Sequence, residues 1–356
     1  TKNMKSVSGA LNPKALVDDG RHLWVVGGVA LSGFFLLFML ESQYAALPFV
    51  AFVGTAAYGW VRHQSATALG LTVVTTLVTV ATFALIIYFL VREAWPAIEY
   101  EGLSLFFDTG TAWTFSQTGP SSFTLVPMMY GTVATTAVAT LVAAPLGVAG
   151  ALFISEIAPD WAREIVKPGI EVMAGIPSVV YGFIGFVVIN QYMYDNMGVV
   201  GFGNFFIVGV VIGLMALPTV VSVAEDAVAT VPHEMKDGAL AMGATDWQTM
   251  KSVTVPAAFS GISAAVLLGI GRAIGETMAA TIMLSHVKTI PDPIYDVFRN
   301  GDTLTSVIAF EYGNAGGLQM KALFASGVVL FGTVMILSIV SQRIEQRMER
   351  KLGRDG

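Results

Sequence analysis

The sequence predicts an all-α protein that crosses a membrane about eight times. Apolar residues fill 54% of its 356 positions and charged residues only 12%, whereas a soluble domain carries about 25% charged residues. The apolar residues gather in runs long enough to cross a bilayer as helices. None of those runs alternates as the strands of a membrane barrel do. Thirty-seven glycines suit helices that pack closely in lipid.

Eight apolar segments are legible in order: approximately 23–40, 46–61, 67–91, 127–154, 165–190, 204–229, 258–285 and 321–341. The second is the shortest. The first is expected to be a span and not a secretory signal, because it is long, Glu41 follows it and a second apolar run comes almost at once. Orientation follows the loop Lys and Arg residues. With the N-terminus inside, fourteen fall inside and four outside (Arg92, Lys288, Arg299 and Lys321), while Arg272 is intramembrane. Both termini are therefore expected in the cytoplasm of a multi-pass protein of the cell (inner) membrane.

The longest outside segments are 92–126 and 286–320. The first carries Trp95, Phe106, Trp113 and Phe115. These segments either cap the protein or meet an external partner, or they merely connect helices. The longest inside loop, about 230–257, reads as two short helical stretches, Ala239 to Met242 and Trp247 to Val253, joined around Gly243 and followed by Pro256. Such a helix–turn–helix on the inner face reads as a docking surface, with a solvated surface loop as the alternative that composition favours. Arg343 to Arg354 alternate with Glu345 and Glu349, as in a solvated helix end.

Two spans carry unusual chemistry. Arg272 lies near the middle of 258–285, and Glu276 is the only other charge there. If the helix is continuous, positions i and i+4 share one face. A charge at that depth costs at least ~3 kcal/mol, so it faces a partner or a wet cavity. Two readings stand: a substrate path lined by Arg272, or a buried ion pair that fixes packing. In 165–190, Pro177 removes a helical hydrogen bond and kinks or breaks the span, with Gly175, Ser178 and Gly182 beside it. A broken helix at mid-depth serves a path or a gate; a plain proline kink is the alternative.

Other classes are disfavoured by residue content. There is no cysteine, and His22, His63, His233 and His286 have no metal-ligand spacing. The net charge of −6 argues against nucleic acid as a partner. No Gly-x-x-x-x-Gly-Lys-Ser/Thr loop occurs, and Gly269, Gly271 and Gly275 lie within a span without the lysine. Membrane lipid is the expected surrounding.

Three motifs carry a family resemblance. The inside loop reads Asp237-Gly238-Ala239, three residues, Gly243, nine residues, Val253, one residue, Val255-Pro256. This resembles the Glu-Ala-Ala loop of ABC-importer permeases in every spacing, departing at Asp237 for Glu and Gly238 for Ala. The other two, Glu171 to Gly182 and Gly271 to Ala279, are similar to those of phosphate-importer permeases. Thr303 to Ala309 and Lys321 to Ala325, with Glu276-Thr277-Met278, resemble the C-type subunit of that family. The resemblance covers about 67–350. It divides the chain into an N-terminal extension of two spans (1–66), a six-span permease core (67–350) and a tail (351–356).

What the resemblance implies is a type I ABC-importer permease fold and a non-catalytic permease subunit of an ATP-driven importer of inorganic phosphate. The implied partners are an A-type permease subunit, two ATPase subunits that bind ATP and Mg, and an external phosphate-binding protein. No cofactor is expected in this chain. The implied substrate path holds Arg272, Glu276, Thr277, Pro177, Ser178 and Tyr181. The implied coupling loop holds Asp237, Gly238, Ala239, Gly243, Val253 and Pro256, with Gly243 supplying the turn. The rivals are a permease for another oxyanion or a phosphonate, an ion-coupled anion carrier, and a regulatory subunit.

Overall fold

A computed structural model describes residues 13–109, 113–114, 121–197 and 203–351, with side chains from Leu23 to Val340 within those ranges, except Met197, and at Gln342, Arg343 and Gln346. Phe115, Arg354 and the side chains of Glu345 and Glu349 lie outside the described part. The helices are α1 Pro13–Met39, α2 Ala46–Arg62, α3 Gln64–Glu101, α4 Val126–Leu152, α5 Asp160–Gly175, α6 Ser178–Ile184, α7 Phe205–Ala229, α8 His233–Ala241, α9 Asp246–Thr249, α10 Phe259–Gly275, α11 Met278–Met283, α12 Leu304–Glu311 and α13 Gly317–Lys351. Among the described residues there is no β-strand, only two isolated bridges, Thr114 with Ser122 and Asn204 with Asn300.

Five helical segments are long and apolar enough to span a bilayer, and two more spans arise if each of two bent helix pairs crosses once. The eighth expected span, 23–40, corresponds to the apolar stretch Leu23–Met39, 17 residues long. The two expected spans that carry the unusual residues, 165–190 and 258–285, are the ones that are not straight rods. Asp160–Gly175 meets Ser178–Asn196 at 92°, a bend within 165–190, whereas 258–285 is entered through a 72° bend between Asp246–Ala257 and Phe259–Gly275 and its first helix ends at Gly275.

The chain divides into two units at Tyr88/Phe89, within α3. In the first, Phe34 packs against Phe38 and, across the α1–α2 hairpin, against Phe49. In the second, α4 and α7 run together because small residues let their backbones approach. A Cβ on Gly209 would stand 2.5 Å from Val138 Cβ, and one on Gly213 would stand 2.8 Å from Val142 Cβ. Val220 fills the space left by Gly147 of α4 and Gly269 of α10. This glycine pattern puts α10 against the α4–α7 pair, and Ala265 and Ala273 of α10 are buried there.

The long segment between α3 and α4 is not extended loop throughout. The third helix continues to Glu101, and Ser104–Phe107 forms one more turn. Trp113 is buried against Phe123 and donates its Nε1–H to Glu311 Oε2 at 3.0 Å. Glu311, at the end of α12, also receives Lys288 and, at 2.9 Å, Gln319. One carboxylate thus gathers both long loops and the start of α13. Glu93 pairs with Lys321 beside it.

Candidate functional site

Pro177 breaks its span as expected. Ile176, the residue before it, is extended (φ −69°, ψ 127°), which is the conformation a following proline enforces. The last carbonyls of α5 lose their helical donors there. Tyr181 answers one of them, its hydroxyl donating to Met173 O at 3.1 Å. Ser178 opens α6 and makes no cap hydrogen bond for which the helix needs it.

A second break, which has no proline, lies at Glu276. The helix α10 ends at Gly275, and Glu276 is extended (φ −67°, ψ 118°). The expected continuous turn from Arg272 to Glu276 is therefore absent, and the two residues form no ion pair. The reason is local: Glu276 turns to the next helix, where Oε1 accepts the backbone N–H of Ala279 at 3.1 Å, near the N-terminus of α11. Its backbone carbonyl accepts the Thr305 hydroxyl at 2.9 Å, and Thr277 Oγ1 donates to Gly275 O at 3.1 Å. Each break is thus satisfied by hydroxyls, as irregular backbone within a bilayer requires.

The segments leaving the two breaks come together. Gly182 of α6 lies so close to α11 that an added Cβ would be 2.8 Å from Ala279 Cα. Pro177, Ser178, Tyr181, Glu276 and Thr277 accordingly belong to one layer of paired half-helices.

Arg272 stands apart from that layer. It lines an open cavity of about 590 Å³ between α7, α10 and α13, together with Thr219, Leu268, Gly271, Ser338 and Gln342. Arg272 is the only charged residue among those that line it. Its side chain is exposed and makes no hydrogen bond or ion pair with the described residues. A guanidinium stays charged at any accessible pH and presents a planar fork of donors that matches an oxyanion. The cavity thus presents one unpaired guanidinium in a wall of Leu, Ala and Val. The sequence pointed to Arg272 but not to the polar residues that line the cavity beside it, Thr219, Ser338 and Gln342; the i, i+4 spacing of Ser338 and Gln342 at the end of an apolar span was the available signal.

The loop between α7 and α10 has the expected helix–turn–helix form. Gly243 has φ +87°, its N–H bonds to Leu240 O at 2.9 Å, and Ala244 N–H bonds to Ala239 O at 3.2 Å. These are the two bonds of a Schellman motif, whose left-handed position glycine fills without strain. The second helix begins at once with a capping box, Thr245 with Gln248. Val253 lies in a π-helical turn, Met250–Thr254, and Pro256 sits in the short helix Val255–Ala257, where a missing N–H costs nothing. Ala239 is buried, while Asp237 and Gly238 are exposed. Lys236 ties α8 to Glu156 beyond the end of α4 at 2.6 Å. The outer rim of the turn presents Met242, 86% exposed, and Trp247, 66% exposed.

Two broken spans, a cavity with one free guanidinium and an exposed apolar helical turn are the parts of a transport permease. The chain belongs to the family of binding-protein-dependent transport system inner membrane components, whose model matches residues 143–353. It is 35% identical over 275 residues to the probable ABC transporter permease protein YqgH of Bacillus subtilis, covering 75% of this chain and 87% of that one. It is 32% identical over 303 residues to the phosphate transport system permease protein PstC of Haemophilus influenzae, covering 78% and 94%. A PstC described as probable, from Methanocaldococcus jannaschii, is 28% identical over 72% of this chain and 86% of its own. Among solved structures, the fold is shared with a bacterial alginate ABC transporter in complex with alginate pentasaccharide-bound periplasmic protein (TM-score 0.55, 15% identity, 78% of this chain and 94% of that one). The chain is thus a multi-pass inner-membrane permease subunit of an ABC importer, with the type I fold. It is not itself catalytic; ATP hydrolysis lies in separate subunits.

Proposed function

We propose that this chain is the C-type permease subunit of an ATP-driven importer of inorganic phosphate. The observation that carries the proposal is Arg272, the single charged residue lining a large cavity between three spans, in a chain 32% identical to a phosphate transport permease. Arg272 is the anion contact. The layer that holds Pro177, Ser178, Tyr181, Glu276 and Thr277 forms the rest of the path as two movable half-helices. An A-type permease supplies the facing half, and an external binding protein delivers phosphate. Residues 1–66 are an extension to the core at 67–350, and both termini lie in the cytoplasm.

Coupling runs through Asp237, Gly238, Ala239, Gly243, Val253 and Pro256. The turn they form seats on one of two ATPase subunits, which bind ATP and Mg. Phe259 and Arg272 are 13 helical steps apart on one continuous helix, about 20 Å. A tilt that the docking turn passes through the bend at Ala258 to the start of this helix would move the guanidinium. Affinity then differs between two conformations, and ATP drives the exchange. A single arginine without a carboxylate partner binds its anion weakly enough to release it.

The test is phosphate-stimulated ATPase activity and phosphate uptake in the reconstituted complex. Arg272→Gln is expected to abolish uptake with the complex still assembled; normal uptake in that variant would sink the path assignment. Stronger competition by sulfate or molybdate than by unlabelled phosphate would mark a permease for another oxyanion.

A further inference from the structure

The cavity beside Arg272 has an uncharged polar wall. Ser338 and Gln342 stand on α13 at i and i+4, so one helix face presents both, and Thr219 of α7 lines the same space. None of the three side chains is hydrogen-bonded among the described residues. Several other hydroxyls of the spans are spent on their own helix, whereas that of Thr136 of α4 is unspent but buried and lines no cavity with Arg272. On α13, Thr333 donates to Val329 O at 2.8 Å and Ser326 to Ala322 O at 3.2 Å. On α4, Thr140 donates to Thr136 O at 2.8 Å. Polar groups left unspent within an apolar bundle face water or a polar solute.

Arg272 cannot read phosphate alone. A guanidinium has five donors and no acceptor. A phosphate ion near neutral pH keeps one or two P–OH groups, each of which needs an acceptor, whereas sulfate has none. A site that meets a donor with an acceptor rejects the analogue lacking that donor. The Gln342 amide oxygen and the Ser338 hydroxyl are acceptors in the cavity that Arg272 lines, and the Gln342 amide N–H₂ adds donors for the unprotonated oxygens.

We infer that Ser338 and Gln342 are specificity-determining contacts on the translocation path, accepting hydrogen bonds from the P–OH groups of the phosphate ion that Arg272 holds by charge. This rests on the phosphate-permease reading and adds to it a discrimination step on the permease itself, separate from capture outside.

The chain has no cysteine, so Ser338→Cys and Gln342→Cys each introduce one thiol into it. In the full, nucleotide-free complex without the external binding protein, a negatively charged methanethiosulfonate reagent is expected to modify either thiol; once ATP and the binding protein are restored, the uptake that each variant retained before treatment is expected to be lost. The same treatment of the complex with the unsubstituted chain is the control. Phosphate is expected to slow modification of the thiol at 338 at about tenfold lower concentration than sulfate, the effect of one hydrogen bond. Adding Gln342→Leu is expected to erase that preference. Should Ser338→Cys fail to assemble, the thiol at 342 gives the same two readings. An unreactive thiol, uptake that survives modification, or equal protection by the two ions would overturn the inference. If the unsubstituted complex moves no phosphate, the underlying reading fails and the inference falls with it. If it moves phosphate, and Arg272→Gln stops it, indifference at 338 and 342 defeats this inference alone.

Discussion

Two glycines in the docking loop, five residues apart, do opposite work. Gly243 has φ +87°, where any side chain is strained whatever space surrounds it, and the turn depends on that conformation. Gly238 sits inside α8 with ordinary helical backbone, and an added methyl would meet nothing within 4 Å. Its cost is conformational, up to ~1 kcal/mol relative to alanine. Gly238→Ala is therefore expected to keep ATPase coupling and to raise the thermal midpoint of the complex slightly. Gly243→Val is expected to misdirect Met242 and Trp247 and to lower phosphate-stimulated ATPase activity at least tenfold. Equal behaviour of the two variants in the ATPase assay would mean that the turn does not carry the coupling.

At the scale of elements, legibility followed locality. The break at Pro177 was readable because proline acts on its own backbone and on the residue before it. The helix–turn–helix around Gly243 was readable because a glycine at C′ is a local signal. The break at Glu276 was not. Nothing between Gly271 and Met278 forbids a helix, so the spacing of Arg272 and Glu276 looked like a shared face. Closing that break takes Thr305, 29 residues away, whose hydroxyl answers the Glu276 carbonyl. Thr305 is itself 5% exposed. Removing its hydroxyl leaves a carbonyl without that partner, a cost of about 1–3 kcal/mol. Thr305→Val is thus expected to lower the thermal midpoint of the purified complex and to slow uptake, while Thr305→Ser, which keeps the donor, restores both. An unchanged Thr305→Val complex would show that Glu276 holds the break without help.

At the scale of the molecule, every structural element assigned to transport belongs to one part of the chain. The three buried clusters draw only on residues from Ala94 onward. The cavity uses residues 219–342, and the docking turn lies between α7 and α10. The family match likewise begins at residue 143. Before Gln64 there are two helices with few buried residues, Ala30 and Gly59 among them, and with exposed Val29, Phe38, Leu47 and Val61. Those side chains suit lipid, which solvates apolar surface as well as a protein interior does. Two crossings return the chain to the side from which it started, so removing both leaves Gln64 on its original side. On the proposed orientation, the Lys and Arg bias of the later inside loops is untouched and would still direct insertion. A chain starting at Gln64 is therefore expected to insert correctly, assemble with its partners and take up phosphate at a rate within about twofold of the full chain. The measurement is uptake normalised to the amount of purified complex, beside the full chain and the Arg272→Gln variant. Loss of assembly would make the first two helices part of the permease's own packing. Normal assembly with lost uptake would give them a part in the transport cycle itself.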